Sequence, residues 1–268
     1  MAHDPVAQGG GRMSLVLANV LNDFGGAIEF LFKQQPSQLD PNTEVGGISE
    51  MLDLTLKHLA LSASAVAIGT AVAIPLGLYL GHHRKGEFAA INASNVGRAI
   101  PTLVLLTVFI AYIGVGFVPI MLSLALLALP PVLTNTWVAV TQVERDSVDA
   151  ARGMGMTDTE IIRQVELPLS LPTIFAGIRV AAVNVVATAT IAPLGSVDSL
   201  GTPIISGNVY GADGRLGAAI AVSVLTLAVS GALAALQRAV TPEGLKLGAG
   251  EPQRRRLPNL RRREAATS

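Results

Sequence analysis

Five stretches of this chain are apolar for the length of a bilayer and contain no Asp or Glu in their interiors. They run near 57–80, 91–113, 118–140, 172–193 and 216–238. A helix needs about 20 apolar residues to cross a hydrocarbon core. Lipid offers the backbone no hydrogen-bond partners, so only helices or closed barrels can span it. Runs of this length predict helices. The chain is 50% hydrophobic and 14% charged, with a mean hydropathy of +0.52. Soluble domains carry about 25% charged residues, so a water-soluble globule is excluded. There is no cysteine, which rules out disulfides and thiolate metal sites. The histidines are scattered without metal-ligand spacing, and His82-His83 reads as a solvated pair in a short basic loop.

Orientation follows from Lys and Arg in the connections. Arg84 and Lys85 sit after the first span, and Arg145, Arg152 and Arg163 lie between the third and fourth. Arg254–Arg256 and Arg261–Arg263 fill the tail. The 114–117 connection is uncharged, and 194–214 is rich in Gly, Ser and Asn. The basic segments therefore face the cytosol, with the N-terminus outside and the C-terminus inside. Arg98 and Arg179 fall near cytosolic span ends, where their side chains can snorkel. In 13–33, Leu17, Val20, Leu21, Phe24, Ile28 and Leu31 share a helical face while Asn19, Asn22, Asp23 and Glu29 lie off it. This predicts an interfacial helix, with a sixth span as the alternative. Segment 34–50 reads as a linker, so 1–50 forms an extension, 51–240 the membrane domain and 241–268 a disordered basic tail in contact with water or lipid headgroups.

Between the third and fourth spans lies a polar island that is too long for a simple connection. Val148 and Ala151 suit a short helix, and Gly153 and Gly155 permit a tight reversal. Thr157 and Glu160 are spaced for a capping box, and Asp158 favours the helix dipole. The second helix is expected to run from Asp158 to about Leu167 and break at Pro168. Ala150 and Ala151 allow another surface to approach closely. Met154 and Met156 offer adaptable apolar contacts at the turn. Such a segment presents a docking surface.

The spacing Asp149-Ala150-Ala151, Gly155, Val165, Leu167-Pro168 resembles the EAA loop of ABC-importer permeases, with Asp for the usual Glu and Val for the usual Ile. Leu54–Leu59, Asn95–Leu103 and Ala176-Gly177-Ile178-Arg179 are similar to the glycine betaine/carnitine/choline subfamily; methionine and amino-acid permeases share parts of them. The resemblance covers about 54–240 and implies an all-α membrane protein of the type I importer permease fold, with a cytosolic coupling loop within 141–171. It further implies that a separate ATPase seats the turn around Arg152, Gly153, Met154, Gly155, Met156 and Thr157. A second permease subunit and an extracytoplasmic binding protein would complete the machine.

No GxxxxGK[ST] loop occurs, so ATP and Mg belong to the partner ATPase; no cofactor, metal or nucleic acid is expected on this chain. Polar residues within the spans, Asn135 and Thr136 after a break at Pro130-Pro131 and Asn184 and Thr188 in the fourth, are candidates to line the path. Interhelical bonding is their alternative role. The substrate implied is an osmoprotectant such as glycine betaine, choline, carnitine or proline, with methionine or another amino acid as the alternative. A secondary carrier would need intramembrane Asp, Glu or His for ion coupling, and a passive assembly subunit would need no ordered island.

Overall fold

A computed structural model describes residues 22–84 and 100–241. Residues 22–32 form helix α1. Strands β1 (Gln34–Pro36) and β2 (Glu44–Gly46) precede the long helix α2 (Gly47–His82). Helices α3 (Thr102–Ile113), α4 (Phe117–Thr141), α5 (Arg145–Gly153) and α6 (Asp158–Ile161) come next. A π-turn (Ile162–Glu166) leads into α7 (Leu167–Thr188), a 3₁₀ turn (Ala189–Gly195), the short α8 (Thr202–Ile205) and α9 (Gly207–Val240).

Four of these helical rods are long and apolar enough to cross a membrane: Gly47–His82, Phe117–Thr141, Asp158–Gly195 and Gly207–Val240. They answer to the first, third, fourth and fifth expected spans. The second, near 91–113, is described only from residue 100, and α3 is its apolar C-terminal part. The expectations for Lys85, Arg98 and the tail beyond Thr241 fall outside the described residues.

The centre of the bundle is α2 against α4, with α7 packed on both. The contact face of α2 is a ladder of small residues at intervals of four: Ala65, Gly69, Ala73, Gly77 and Gly81, each buried. A Cβ on Gly69 would lie 2.8 Å from the Ala125 carbonyl oxygen; one on Gly77 would lie 2.7 Å from Thr136 Cβ. The two backbones thus approach as closely as glycine permits, which is how helices gain dispersion energy where lipid supplies no hydrophobic drive. Gly177 of α7 makes the same approach to Asn135 of α4. Leu61, Ile120, Leu124, Ala128, Val132, Ala181 and Val185 fill the space between. His58 of α2 is fully buried, and its Nε2 donates to the Val186 carbonyl of α7 at 2.8 Å.

Three prolines expected to interrupt helices do not. Pro130 and Pro131 lie inside a continuous α4. The Pro131 carbonyl accepts the Asn135 side-chain amide at 2.7 Å. Pro168 falls in the first turn of α7 and does not end the preceding helix, because the π-turn intervenes. There Leu167 N–H bonds the Ile162 carbonyl, five residues back. The widened turn shifts the hydrogen-bond ladder where proline lacks a donor, and helix runs on through Pro172.

Segment 34–50 is structured, where a linker was expected. β1 and β2 pair antiparallel, Gln35 opposite Val45, and α2 already begins at Gly47. The connecting Asp40-Pro41-Asn42-Thr43 is a turn: Asp40 Oδ1 accepts Asn42 N–H at 3.0 Å and Oδ2 accepts the Thr43 hydroxyl at 3.0 Å. The hairpin docks on the far end of the chain, where Gln38 N–H donates to the Val209 carbonyl at 2.9 Å. Phe30 and Val45 share an apolar cluster with Met51, Leu54, Leu200 and Val222. The face of α1 that packs is Ala27 and Phe30, seated over Gly214 and Gly217 of α9, while Phe24 and Ile28 point outward. The expected apolar face is therefore split between protein and surroundings. Gly217 packs closely against α1, Ala218 is buried, and Ser223 is exposed. The rest of α9 is peripheral; Leu227 is 73% exposed.

Candidate coupling loop and translocation path

The island folds as a helix, a turn and a second helix. α5 ends in a reversal in which Met154 N–H bonds the Ala150 carbonyl and Met156 N–H bonds the Ala151 carbonyl at 3.2 Å. Gly155 makes the reversal with φ +86°, a conformation that disfavours any side chain. Gly153 keeps negative φ, so only one of the two glycines is demanded by the backbone. A Cβ on either would meet no atom within 4 Å. Beside them Met154 is 77% exposed. Across Gly153–Gly155 the only side chain on the outer side of the turn is the protruding Met154 thioether.

The capping box forms as the spacing predicts. Thr157 N–H donates to Glu160 Oε2 at 2.7 Å, and Glu160 N–H donates to Thr157 Oγ1 at 3.4 Å. These bonds from Thr157 hold the Glu160 carboxyl below its ordinary range. Arg152 crosses from α5 to donate to Asp158 at 3.2 Å, and with His82 it lowers the Asp158 carboxyl. Ala151 is buried inside the island, where its small side chain lets the turn fold back on α5, so it is no contact surface; Asp149 and Ala150 are exposed. Val165, Leu167 and Pro168 are half-buried where the island meets the bundle.

Two residues here escape sequence reasoning. His82, expected to be solvated, has a side chain only 4% exposed. Its Nδ1 lies 2.9 Å from Oε2 of Glu166, which is itself buried. They are 84 residues apart, and neither belongs to a local pattern. The available signal was weaker: a carboxylate directly before an apolar run, which must find a donor or stay in water.

The four path candidates separate. Thr136 is fully buried; its hydroxyl bonds the Val132 carbonyl and it packs on Gly77, so it seals α2 to α4. Asn135 is half-buried against Gly177. Asn184 is exposed on α7 and Thr188, one turn on, is half-buried. Among the described residues no three His, Cys, Asp or Glu side chains gather to hold a metal ion.

A family model described as "Binding-protein-dependent transport system inner membrane component" matches residues 73–243. The chain belongs to this family. It is 40% identical over 197 residues to the carnitine transport permease protein OpuCB of Listeria monocytogenes, covering 73% of this chain and 90% of that one. It is 37% identical over 198 residues to the glycine betaine/carnitine/choline transport system permease protein OpuCB of Bacillus subtilis, covering 74% and 91%. Among solved structures, a chain of the MetNI methionine ABC transporter in an inward-facing conformation superposes with a TM-score of 0.63 at 22% identity, over 71% of this chain and 96% of that one. The fold is that of an ABC type I importer permease, a multi-pass membrane architecture. Among the described residues, two three-residue strands accompany the helices.

Proposed function

We propose that this chain is the membrane-spanning subunit of an ATP-driven importer of osmoprotectants, in the class of glycine betaine, carnitine, choline or proline. The observation that carries the reading is the likeness to two osmoprotectant permeases over nine-tenths of their length. The methionine-transporter superposition, at 22% identity, speaks for the fold alone.

The division of labour rests on the island. A bare turn at Gly153–Gly155 fits a groove on a separate ATPase, where ATP and Mg are bound and hydrolysed. Arg84, Arg152 and Arg163 lie at the island end of the bundle, and the positive-inside rule assigns that end to the cytosol. The hairpin, α1 and the turn at 114–117 then face outward, where a soluble binding protein delivers substrate. The path lies between two copies or paralogues of this subunit. Asn184 and Thr188 of α7 are the residues proposed to line it, since a polar amide exposed on a membrane helix is costly against lipid.

The test is ATP-dependent uptake of labelled glycine betaine, choline and carnitine into proteoliposomes holding this chain, its ATPase and its binding protein. Uptake competed by these compounds but not by methionine supports the reading. Uptake of methionine alone would replace the substrate class, and failure to assemble with an ATPase would overturn the whole assignment.

A further inference from the structure

The coupling island is continuous with α7 through the π-turn, but nothing in the covalent chain joins it directly to α2, the helix at the centre of the bundle. A noncovalent tie is present. His82 stands in the last turn of α2 with carboxylates on both ring nitrogens: Glu166 Oε2 at 2.9 Å from Nδ1, and Asp158 Oδ1 at 3.4 Å from Nε2. Asp158 also receives Arg152 at 3.2 Å. One imidazole thus touches both ends of the α6–π-turn segment and, through Asp158, the end of α5.

Three features make this more than a surface ion pair. Both His82 and Glu166 are buried, their side chains 4% and 5% exposed, so breaking the contact strands a buried carboxylate. Glu166 ends the π-turn, an irregularity often found at functional points in helices. Asp158 opens the helix that the capping box fixes, so the carboxylate meeting Nε2 moves with the turn at Gly155. A cavity of about 300 Å³, lined by Gly81, Val140, Val143, Arg145 and Asp149, lies beside the ring. The island is therefore not packed solid against α2 there, and the imidazole bridges the two at the cavity's edge.

Resting on the proposed coupling role of the island, we propose that His82 is a positioning residue that transmits the island's displacement to α2. Without it the ATPase would still move the island and α7. The α2–α4 pair would follow incompletely, and ATP would be hydrolysed without matching transport.

The experiment compares His82→Ala, Glu166→Ala, Glu166→Gln and the double His82→Ala/Glu166→Ala variant in proteoliposomes with the full complex. It reads substrate transported per ATP hydrolysed and the yield of assembled transporter. His82→Ala and Glu166→Ala are expected to lower the ratio by about fivefold or more, the low end of coupling between distant sites. Glu166→Gln keeps an acceptor for Nδ1–H and should restore most of it. The double variant should fall no further than either single, as expected for one shared contact. Loss of yield with an unchanged ratio in the surviving complexes would overturn the proposal in favour of a purely structural role. Gly155→Arg separates the two readings. If it abolishes uptake while His82→Ala leaves the ratio intact, the island couples but His82 does not transmit.

Discussion

Each end of this bundle is held by a carboxylate, and the two are held differently. At the hairpin end, Glu50 Oε1 accepts the Tyr210 hydroxyl at 2.7 Å and Oε2 accepts Gly46 N–H at 2.6 Å. Both donors are neutral, and the Gln38 N–H and the Ser37 hydroxyl, both donating to the Val209 carbonyl, reinforce them. An apolar cluster around Phe30 closes over this end. At the island end, Glu166 meets an ionisable ring beside an irregular helical turn. The first arrangement has several independent ties and resists displacement. The second ties α2 to the island through a polar contact of one side chain, His82, with no hairpin or backbone bond beside it among the described residues. Under the proposed function the contrast has a use: the firmly held face is the one where substrate arrives and the other is the one that is driven.

The sharpest way to break this contrast is Gly155→Arg. It strains a φ of +86° and fills a turn left bare. Uptake should fall by about a hundredfold, the scale of a lost interface anchor worth about 3 kcal/mol, with the membrane domain still folded by size-exclusion chromatography. Gly69→Leu attacks the sealed centre instead, since its Cβ would press on the Ala125 carbonyl. It should cost about 1–3 kcal/mol by overpacking, seen as a lower melting temperature in detergent, whereas Gly231→Ala, facing open space, should not destabilise.

Glu50→Ala sharpens the comparison of the two ends. It removes the partners of Gly46 N–H and Tyr210 OH and should cost about 1 kcal/mol of stability. Transport per ATP should stay unchanged, unlike Glu166→Ala. A fall in that ratio would show that the hairpin end also transmits.

The smallest effect concerns acid. The Glu160 and Asp158 carboxyls are held below their ordinary values, by Thr157 and by Arg152 with His82 respectively. Their contribution is therefore present above the unfolded-state values and is lost as pH falls through the lowered folded ones. The protection factors of the island's first-turn amides, corrected for the intrinsic pH dependence of exchange, should be steady above the ordinary carboxylate range and fall below it. Loss of protection already near neutral pH would refute the capping account.

The spans and the capping box were legible because each depends on residues close in sequence: long acid-free runs for the first, Thr157 and Glu160 three apart for the second. What was not legible depends on partners far along the chain or on the adaptability of helices. Pro168 is a helix breaker by its own chemistry, and only the rearranged ladder at Leu167 accommodates it. The hairpin's signal, Asp40-Pro41-Asn42-Thr43, was present but masked by the prolines and glycines around it. Its pairing needed α9 as a platform. His82 reads as half of a solvated pair, and Glu166 carries no role in the sequence, until the fold brings them together.

The uninterrupted passage through Pro168 has a mechanical consequence. Asp158–Gly195 is one rod of 38 residues, about 57 Å long at 1.5 Å per residue. Pivoting about one end, a tilt of about 5° sweeps the other through about 5 Å by simple trigonometry on that length. Under the proposed coupling role, an arm of that reach turns a slight rotation at the island end into a much larger displacement at the other, and its π-turn at Ile162–Glu166 lies close to the driven end, so the length of α7 beyond it carries the stroke.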